Sequence, residues 1–113
     1  MRLAAEVAER EQGLHVLVNN AGANWGAPLE DFPSLGWDKV LDLNVKAPFY
    51  LSRACLPLLT AVGTSEDPAR IINVGSIDGL RVPELPTYSY SSSKAAVHHL
   101  TRVCSPRSSG LGT

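Results

Sequence analysis

The stretch His15-Val16-Leu17-Val18-Asn19-Asn20-Ala21-Gly22 decides how the rest of the chain is interpreted. Its apolar run, residues 15–18, does not alternate with polar residues, which predicts a strand buried on both faces. The small polar residues that follow predict a turn. Ile71-Ile72-Asn73-Val74 is a second run of this kind and leads into Gly75-Ser76. Because a long helical pattern separates the two strands, we expect them to pair in parallel within an α/β fold.

Three helices complete a predicted order of helix, strand, helix, strand and helix. The spacing of apolar residues predicts helices over residues 2–12, from Trp37 to about residue 62, and from Tyr88 to Val103, with loops over 23–36, 63–69 and 77–87. Strands that alternate with long helices are typical of a doubly wound, Rossmann-like parallel sheet. Since such a sheet normally has more than two strands, we expect residues 1–103 to be the central part of a larger domain.

Composition excludes several classes of protein. The chain has 113 residues, of which 44% are hydrophobic and 19% charged, as expected for a folded unit rather than a disordered tail. A net charge of −1 argues against binding to nucleic acid or to a membrane surface. Cys55 and Cys104 are too few for a disulfide scaffold, and the adjacent His98 and His99 point in different directions on a helix, so we expect no metal site.

The sequence also predicts the location of the protein and the packing of its cysteine and histidine residues. Charges within residues 2–11 do not fit a signal peptide, and no apolar segment reaches the roughly 20 residues of a membrane span. We therefore expect a reducing, cytoplasmic location and no membrane partner. We interpret His98 and His99 as helix surface or interface, and Cys55 as a small buried apolar residue.

Both predicted strands end in small or polar residues, at the edge of the sheet where ligands bind in open α/β folds. Asn19-Asn20-Ala21-Gly22 follows the first strand and Gly75-Ser76 follows the second. Small residues let a ligand approach the backbone closely. A binding site is one interpretation of this pattern, and two ordinary turns are the other.

Tyr90 and Lys94 are four residues apart, so a helix places them on one face. A free phenol has a pKa near about 10 and is a poor base at neutral pH, whereas a neighbouring ammonium favours the ionised form of a phenol. Such a pair can exchange a proton with an alcohol or a carbonyl. The alternative is a pair on a solvated face. Tyr88 competes for this role, but Ser92, four residues further on, offers no charge.

Ser76 and Asn44 are further candidates, each with a structural alternative. Ser76 could direct its hydroxyl to a substrate oxygen at the end of the second strand, or it could be a turn residue. Asn44 precedes Pro48 by four residues. Because proline has no N–H, the Asn44 carbonyl loses its helical partner and could hold a water. A tolerated kink without a role is the alternative.

Together these residues resemble the active-site pattern of the short-chain dehydrogenase/reductase family. Asn19-Asn20-Ala21-Gly22 is similar to the family's Asn-Asn-Ala-Gly motif, and residues 90–94 are similar to its Tyr-x-x-x-Lys motif. Ser76 and Asn44 fall where the family has its other two catalytic residues. The stretch 71–100 is similar to 3-oxoacyl-thioester reductases, especially those of rhamnolipid synthesis, in which the Ser-Tyr spacing is one residue longer than in more common members.

The resemblance implies a reaction and a role for each residue. Tyr90 is the expected general acid/base, and Lys94 is expected to lower the pKa of this tyrosine and to bind the nicotinamide ribose. Ser76 is expected to hold the substrate oxygen. The Asn44 main-chain carbonyl is expected to hold a water in a proton relay. The implied cofactor-binding residues are Asn20, Ala21, Gly22, Val45, Tyr90 and Lys94. The implied reaction is reversible hydride transfer between NADP (or NAD) and a small-molecule carbonyl or alcohol, in a homodimer or homotetramer.

Two departures from the family pattern bear most on how this sequence is interpreted. The Gly-x-x-x-Gly-x-Gly turn, which binds pyrophosphate at a helix N-terminus, does not occur in it. We therefore expect a fragment of an oxidoreductase, with an inactive member that acts only through its oligomerisation helices as the alternative. Residues 104–113 lack the family's Leu-Ala-x-Glu-Leu-Gly pattern. A GC-rich reverse translation read one base out of phase restores it, which predicts a shifted reading frame in this tail.

Overall fold

A parallel pair of strands joins the two apolar runs in the computed structural model, which describes residues 2–104. Strand β1 (Val16–Asn19) lies beside β2 (Arg70–Asn73) in a register that places Asn19 opposite Asn73. The predicted α/β fold with parallel pairing is therefore confirmed, and each strand lies one residue from its predicted position. The α-helices of this part of the chain are α1 (Arg2–Arg10), α2 (Ser34–Leu41), α3 (Ala47–Val62) and α4 (Tyr88–Val103).

The apolar side chains of the strands are only partly covered. Leu17 packs against the apolar core, whereas Val16 and Val18 on either side of it are 44% and 52% exposed. Ile71 and Ile72 of β2 are 41% and 47% exposed. The prediction of burial on both faces is therefore wrong within residues 2–104, because no described element covers these four side chains fully.

The long helix predicted from Trp37 to residue 62 is two helices joined by a π-helical turn, Asp42–Lys46. Pro48 has no N–H to donate to the Asn44 carbonyl, so the regular α-helical pattern cannot continue through this point. The Ala47 N–H instead bonds to the carbonyl five residues earlier. The kink predicted at the proline therefore takes the form of a wider helical turn.

Helix α2 begins at Ser34, inside the predicted loop 23–36. Gly36 is buried against Trp25, whose ring atoms lie 2.9 Å from the point where a Cβ on this glycine would stand. The glycine that favours a loop in the sequence therefore permits close packing inside a helix, and the loop prediction is wrong over its last residues. Helix α1 ends at Arg10 rather than at residue 12, while α4 spans the predicted residues.

A small apolar core lies between α1, α3 and the sheet. Cys55 is 3% exposed, which confirms its interpretation as a buried apolar residue, and this burial raises the pKa of its thiol. The core fixes β1 against α3 and thereby fixes where β1 ends. Its buried members are Ala4, Cys55 and Leu59, packed against the partly buried Leu14, Leu17, Leu51, Ala54 and Ala69.

Two sequence predictions concern the C-terminal tail and membrane-spanning segments. The tail for which a shifted reading frame is predicted lies outside the described residues, except for Cys104, an exposed free cysteine. Within residues 2–104, no helix combines the length and the apolar content that crossing a membrane requires.

Candidate active site

The carboxyl ends of the two strands are joined by asparagine side chains. Asn19 Nδ2 donates to Asn73 Oδ1 at 2.8 Å and to Ser52 Oγ on α3 at 3.2 Å. Asn73 Nδ2 in turn donates to Thr101 Oγ1 on α4 at 3.0 Å. This chain of hydrogen bonds crosses the sheet from α3 to α4, so it fixes the place from which the segments 20–22 and 74–76 leave the strands.

Lys94 lies buried beside the end of β2, with only 7% of its surface exposed. Its Nζ donates to the Val74 carbonyl at 3.2 Å and lies 5.7 Å from the centre of the Tyr90 ring. Because Lys94 is buried and Tyr90 is half-buried, the two residues are not a solvated surface pair. The ion pairs found in residues 2–104, Asp42–Lys46 and Asp67–Arg70, are by contrast both on the surface. The Lys94 ammonium faces a carbonyl and an aromatic ring.

Asn44 lies in the π-helical turn, is 2% exposed, and joins two parts of the site. Its Oδ1 accepts from the Ala23 N–H at 2.8 Å. Its Nδ2 donates to the Ala23 carbonyl at 2.9 Å and to Ser93 Oγ at 3.0 Å. Both N–H donors of the amide are thereby used, and the side chain holds the loop after β1 against α4. The role of its main-chain carbonyl in holding a water stays a prediction.

The backbone of Gly22 lies next to the side chains of both Asn44 and Lys94. A Cβ on Gly22 would stand 3.2 Å from Asn44 Oδ1 and 3.8 Å from Lys94 Nζ. The two polar groups therefore border a stretch of backbone that carries no side chain. Residues 20–22 are exposed, and Val45 is half-buried beside Asn44. Their predicted contacts with a cofactor stay predictions.

Ser76 lies just beyond β2, and its Oγ accepts from the Asp78 N–H at 3.2 Å. The short 3₁₀ turn that follows packs directly on α4. A Cβ on Gly79 would stand 2.7 Å from main-chain atoms of Lys94 and Ala95. This contact keeps the Ser76 segment beside the helical turn that contains Lys94. Because the bond from Asp78 uses a lone pair, the Ser76 hydroxyl retains its proton for donation.

All four predicted catalytic residues, Tyr90, Lys94, Ser76 and Asn44, thus lie around the carboxyl ends of the strands. Their catalytic roles stay predictions. In the part of the chain that the structure describes, no cluster of three or more His, Cys, Asp or Glu side chains is arranged to hold a metal ion.

Two residues of this region were not singled out by the sequence as site residues. Ser93 is fully buried and its Oγ donates to the Tyr90 carbonyl at 2.7 Å while it accepts from Asn44. His98 is half-buried, and its Nε2 accepts from the Ser76 N–H at 3.2 Å. His98 therefore lies at an interface between α4 and the segment after β2, which agrees with its interpretation as helix surface or interface. The available signal was spacing, because His98 follows Lys94 by four residues and shares its helical face.

Comparison with known proteins identifies the family. A sequence model of the short chain dehydrogenase family matches residues 1–108. A Pseudomonas aeruginosa protein named rhamnolipids biosynthesis 3-oxoacyl-[acyl-carrier-protein] reductase is 46% identical over 102 residues, which are 90% of this chain and 40% of that protein. An uncharacterized oxidoreductase of Staphylococcus aureus is 33% identical over 90 residues, covering 80% of this chain and 37% of its own. The predicted similarity to rhamnolipid-type reductases is confirmed.

Solved structures agree with this result. The Pseudomonas aeruginosa RhlG/NADP active-site complex superposes with a TM-score of 0.90 and 44% identity, over 96% of this chain and 43% of that one. A short-chain dehydrogenase from Streptomyces avermitilis gives a TM-score of 0.79 and 27% identity, over 96% of this chain and 38% of its own. The chain spans about 40% of the length of the curated relatives it matches. Because the family's sequence model covers residues 1–108 and the fold agrees, the chain belongs to the short-chain dehydrogenase family.

Proposed function

We propose that this chain supplies the catalytic centre of a reductase that transfers hydride between NADP and a small-molecule carbonyl or alcohol, with a 3-oxoacyl thioester as substrate. Two comparisons with the same Pseudomonas aeruginosa relative support the chemistry. That relative is named a 3-oxoacyl-[acyl-carrier-protein] reductase, and its solved structure is an active-site complex with NADP. Because the chain spans 40% of this relative, the activity is assigned to the whole protein to which these residues belong.

The observation that supports this proposal most strongly is the buried ammonium of Lys94 beside the Tyr90 ring. An ammonium removed from water interacts more strongly with a nearby charge, since less solvent screens it. When Tyr90 gives up its proton, negative charge develops on its phenolic oxygen. Lys94 stabilises that charge, so Tyr90 acts as the general acid in reduction and as the general base in oxidation.

The proton follows a short route through residues of this chain. The Tyr90 hydroxyl donates its proton to the substrate oxygen, and the Ser76 hydroxyl donates a hydrogen bond to the same oxygen. The Asp78 N–H donates a hydrogen bond to Ser76 Oγ. A water on the Asn44 carbonyl, which lacks an N–H at Pro48, returns a proton towards Lys94 and Tyr90.

The residues present suit a nicotinamide cofactor. An ammonium has three N–H donors, and the Lys94 bond to the Val74 carbonyl uses one of them. The other two are available for ribose hydroxyls. The exposed backbone at residues 20–22 includes Gly22, where no side chain blocks a flat group. When bound, NADPH (or NADH) supplies the hydride.

Assembly and location complete the proposal. Exposed apolar side chains on α3, Phe49 at 41% and Tyr50 at 46%, suit a helix that packs on a second copy in a homodimer or homotetramer. Cys55 and Cys104 are both free thiols, which suits a reducing compartment, and we propose the cytoplasm.

Tyr90→Phe in the natural full-length protein tests the proposal. The substitution removes the proton donor and leaves the ring over Lys94. We expect kcat for NADPH-dependent reduction of a 3-oxoacyl thioester to fall about 100-fold or more, with a much smaller change in KM. Steady-state kinetics measured at several substrate concentrations separates the two effects.

Tyr88→Phe is the matched control, because Tyr88 lies on the same helix and has Ser92 rather than a lysine four residues on. It should keep the wild-type kcat. Equal turnover in the wild type and Tyr90→Phe contradicts the proposal. A wild-type protein that is folded and oligomeric but has no reductase activity favours the alternative, an inactive family member that acts through its helices.

A further inference from the structure

His98 makes a direct contact with the main chain of Ser76. Its Nε2 accepts a hydrogen bond from the Ser76 N–H at 3.2 Å. The preceding residue, Gly75, leaves the space for this contact, because a Cβ at that position would overlap His98 Nε2. The imidazole therefore reaches the Ser76 N–H only because residue 75 has no side chain.

This contact requires one form of the imidazole. Only a ring nitrogen without a proton can accept, so Nε2 is unprotonated and the neutral ring has its proton on Nδ1. Nδ1 is buried and has no hydrogen-bond partner among the described residues. Within residues 2–104, the imidazole of His98 is therefore held by one hydrogen bond, from the Ser76 N–H to Nε2.

Ser76 is consequently held at two points. His98 fixes its main-chain N–H, and the Asp78 N–H fixes its Oγ. His98 is itself on α4, four residues after Lys94 and eight after Tyr90, so one helical face contributes all three side chains. The distance between the Ser76 hydroxyl and the Tyr90–Lys94 pair therefore depends on a hydrogen bond that is accepted by a residue of the same helix.

We propose that His98 is a positioning residue that orients Ser76 for its contact with the substrate oxygen. This inference rests on the proposed function, in which the Ser76 hydroxyl donates to that oxygen. Without the acceptor at Nε2 the Ser76 segment loses one of its two anchors, and its hydroxyl spends less time in the productive orientation. The proposal predicts an effect on kcat with little effect on KM, since the contact matters most when charge develops on the oxygen.

Three variants of the natural full-length protein test this proposal. His98→Leu removes the acceptor, and we expect kcat to fall about 3- to 10-fold with KM unchanged, the range of one neutral hydrogen bond. His98→Gln places an oxygen near the position of Nε2 and should restore most of the loss. His99→Leu is the matched control, because His99 is adjacent and exposed, and it should keep the wild-type kcat.

A double-mutant cycle with Ser76→Ala separates positioning from a general effect on the fold. If His98 acts through Ser76, His98→Leu has no further effect on kcat once the Ser76 hydroxyl is absent. An equal loss in both backgrounds overturns the inference, as does a wild-type kcat for His98→Leu alone. If Ser76→Ala itself has the wild-type kcat, the proposed role of Ser76 fails and the inference fails with it. If Ser76→Ala is impaired and His98→Leu causes an equal loss in both backgrounds, the inference fails alone.

Gly75→Ala keeps the test decisive if His98→Leu does not fold. Its new methyl group displaces His98 from Ser76 without changing the imidazole. We expect the same 3- to 10-fold loss of kcat, again absent in the Ser76→Ala background. A wild-type kcat for folded Gly75→Ala overturns the inference.

Discussion

Two buried side chains, Asn44 and Ser93, join the loop after β1 to α4. Asn44 is in the π-helical turn and binds Ala23 through two hydrogen bonds. Ser93 accepts from Asn44 Nδ2 and donates to the Tyr90 carbonyl. Because both side chains are almost fully buried, each lost partner leaves a polar group that water cannot reach. The position of Tyr90 relative to residues 20–23 therefore depends on these bonds.

Ser93→Ala tests this dependence at the scale of one residue. The substitution leaves the buried Asn44 N–H without its acceptor, so the free energy of unfolding should fall by about 1–3 kcal/mol. Denaturant titration of the natural full-length protein measures the change. Ser92→Ala is the control, because Ser92 is exposed on the same helix, and it should shift the free energy by less than about 0.5 kcal/mol. Equal stability of the two variants contradicts the prediction.

Among the side chains of α4, the sequence predicted those whose partner is close along the chain and missed those whose partners are distant. Tyr90 and Lys94 lie within one helix, so their spacing predicts that they share a face. Ser93 and His98 owe their roles to contacts with Asn44, 49 residues away, and with Ser76, 22 residues away. Such contacts depend on how α4 docks on the π-helical turn and on the segment after β2, which local patterns do not determine.

Among the elements, the π-helical turn Asp42–Lys46 is the one that places Asn44. The sequence predicts a kink four residues before Pro48, because proline cannot donate to the Asn44 carbonyl. It does not distinguish an ordinary kink from a wider turn, since that outcome depends on which groups the Asn44 side chain contacts. Here it meets Ala23 and Ser93, and their hydrogen bonds stabilise the wider turn.

Pro48→Ala tests the role of the turn. The alanine restores an N–H for the Asn44 carbonyl, so a regular α-helix competes with the wider turn and rotates Asn44 away from Ala23. We expect the Ala23 amide, which donates to Asn44 Oδ1 at 2.8 Å, to exchange with solvent roughly 5- to 10-fold faster. Hydrogen exchange followed by NMR or mass spectrometry measures this change.

Pro57→Ala provides the control for that experiment. Pro57 lies inside α3 and is exposed, with no contact to the Ala23 loop among the hydrogen bonds described above. It should leave the Ala23 exchange rate unchanged. If both proline variants have the same Ala23 exchange rate, Pro48 does not determine the position of Asn44.

At the scale of the whole molecule, the described part of the chain has a sheet of two strands whose apolar side chains are widely exposed. The strand residues Val16, Val18, Ile71 and Ile72 are 41–52% exposed. Open edges and exposed apolar strands favour association with further chain or with a second copy.

A polypeptide limited to residues 1–113 should therefore unfold without a sharp transition and bind NADPH weakly or not at all. The buried apolar residues of the described part of the chain are few, namely Ala4, Val40, Cys55, Leu58, Leu59 and Val97, and a core of this size offsets little of the conformational entropy lost on folding. The sequence also lacks the Gly-rich turn that binds pyrophosphate in this family. Thermal unfolding followed by circular dichroism, together with titration of NADPH, tests both statements, with the natural full-length protein as the reference. A cooperative transition and a cofactor affinity equal to that reference would contradict this prediction and imply that a self-assembled oligomer of this polypeptide supplies the missing contacts.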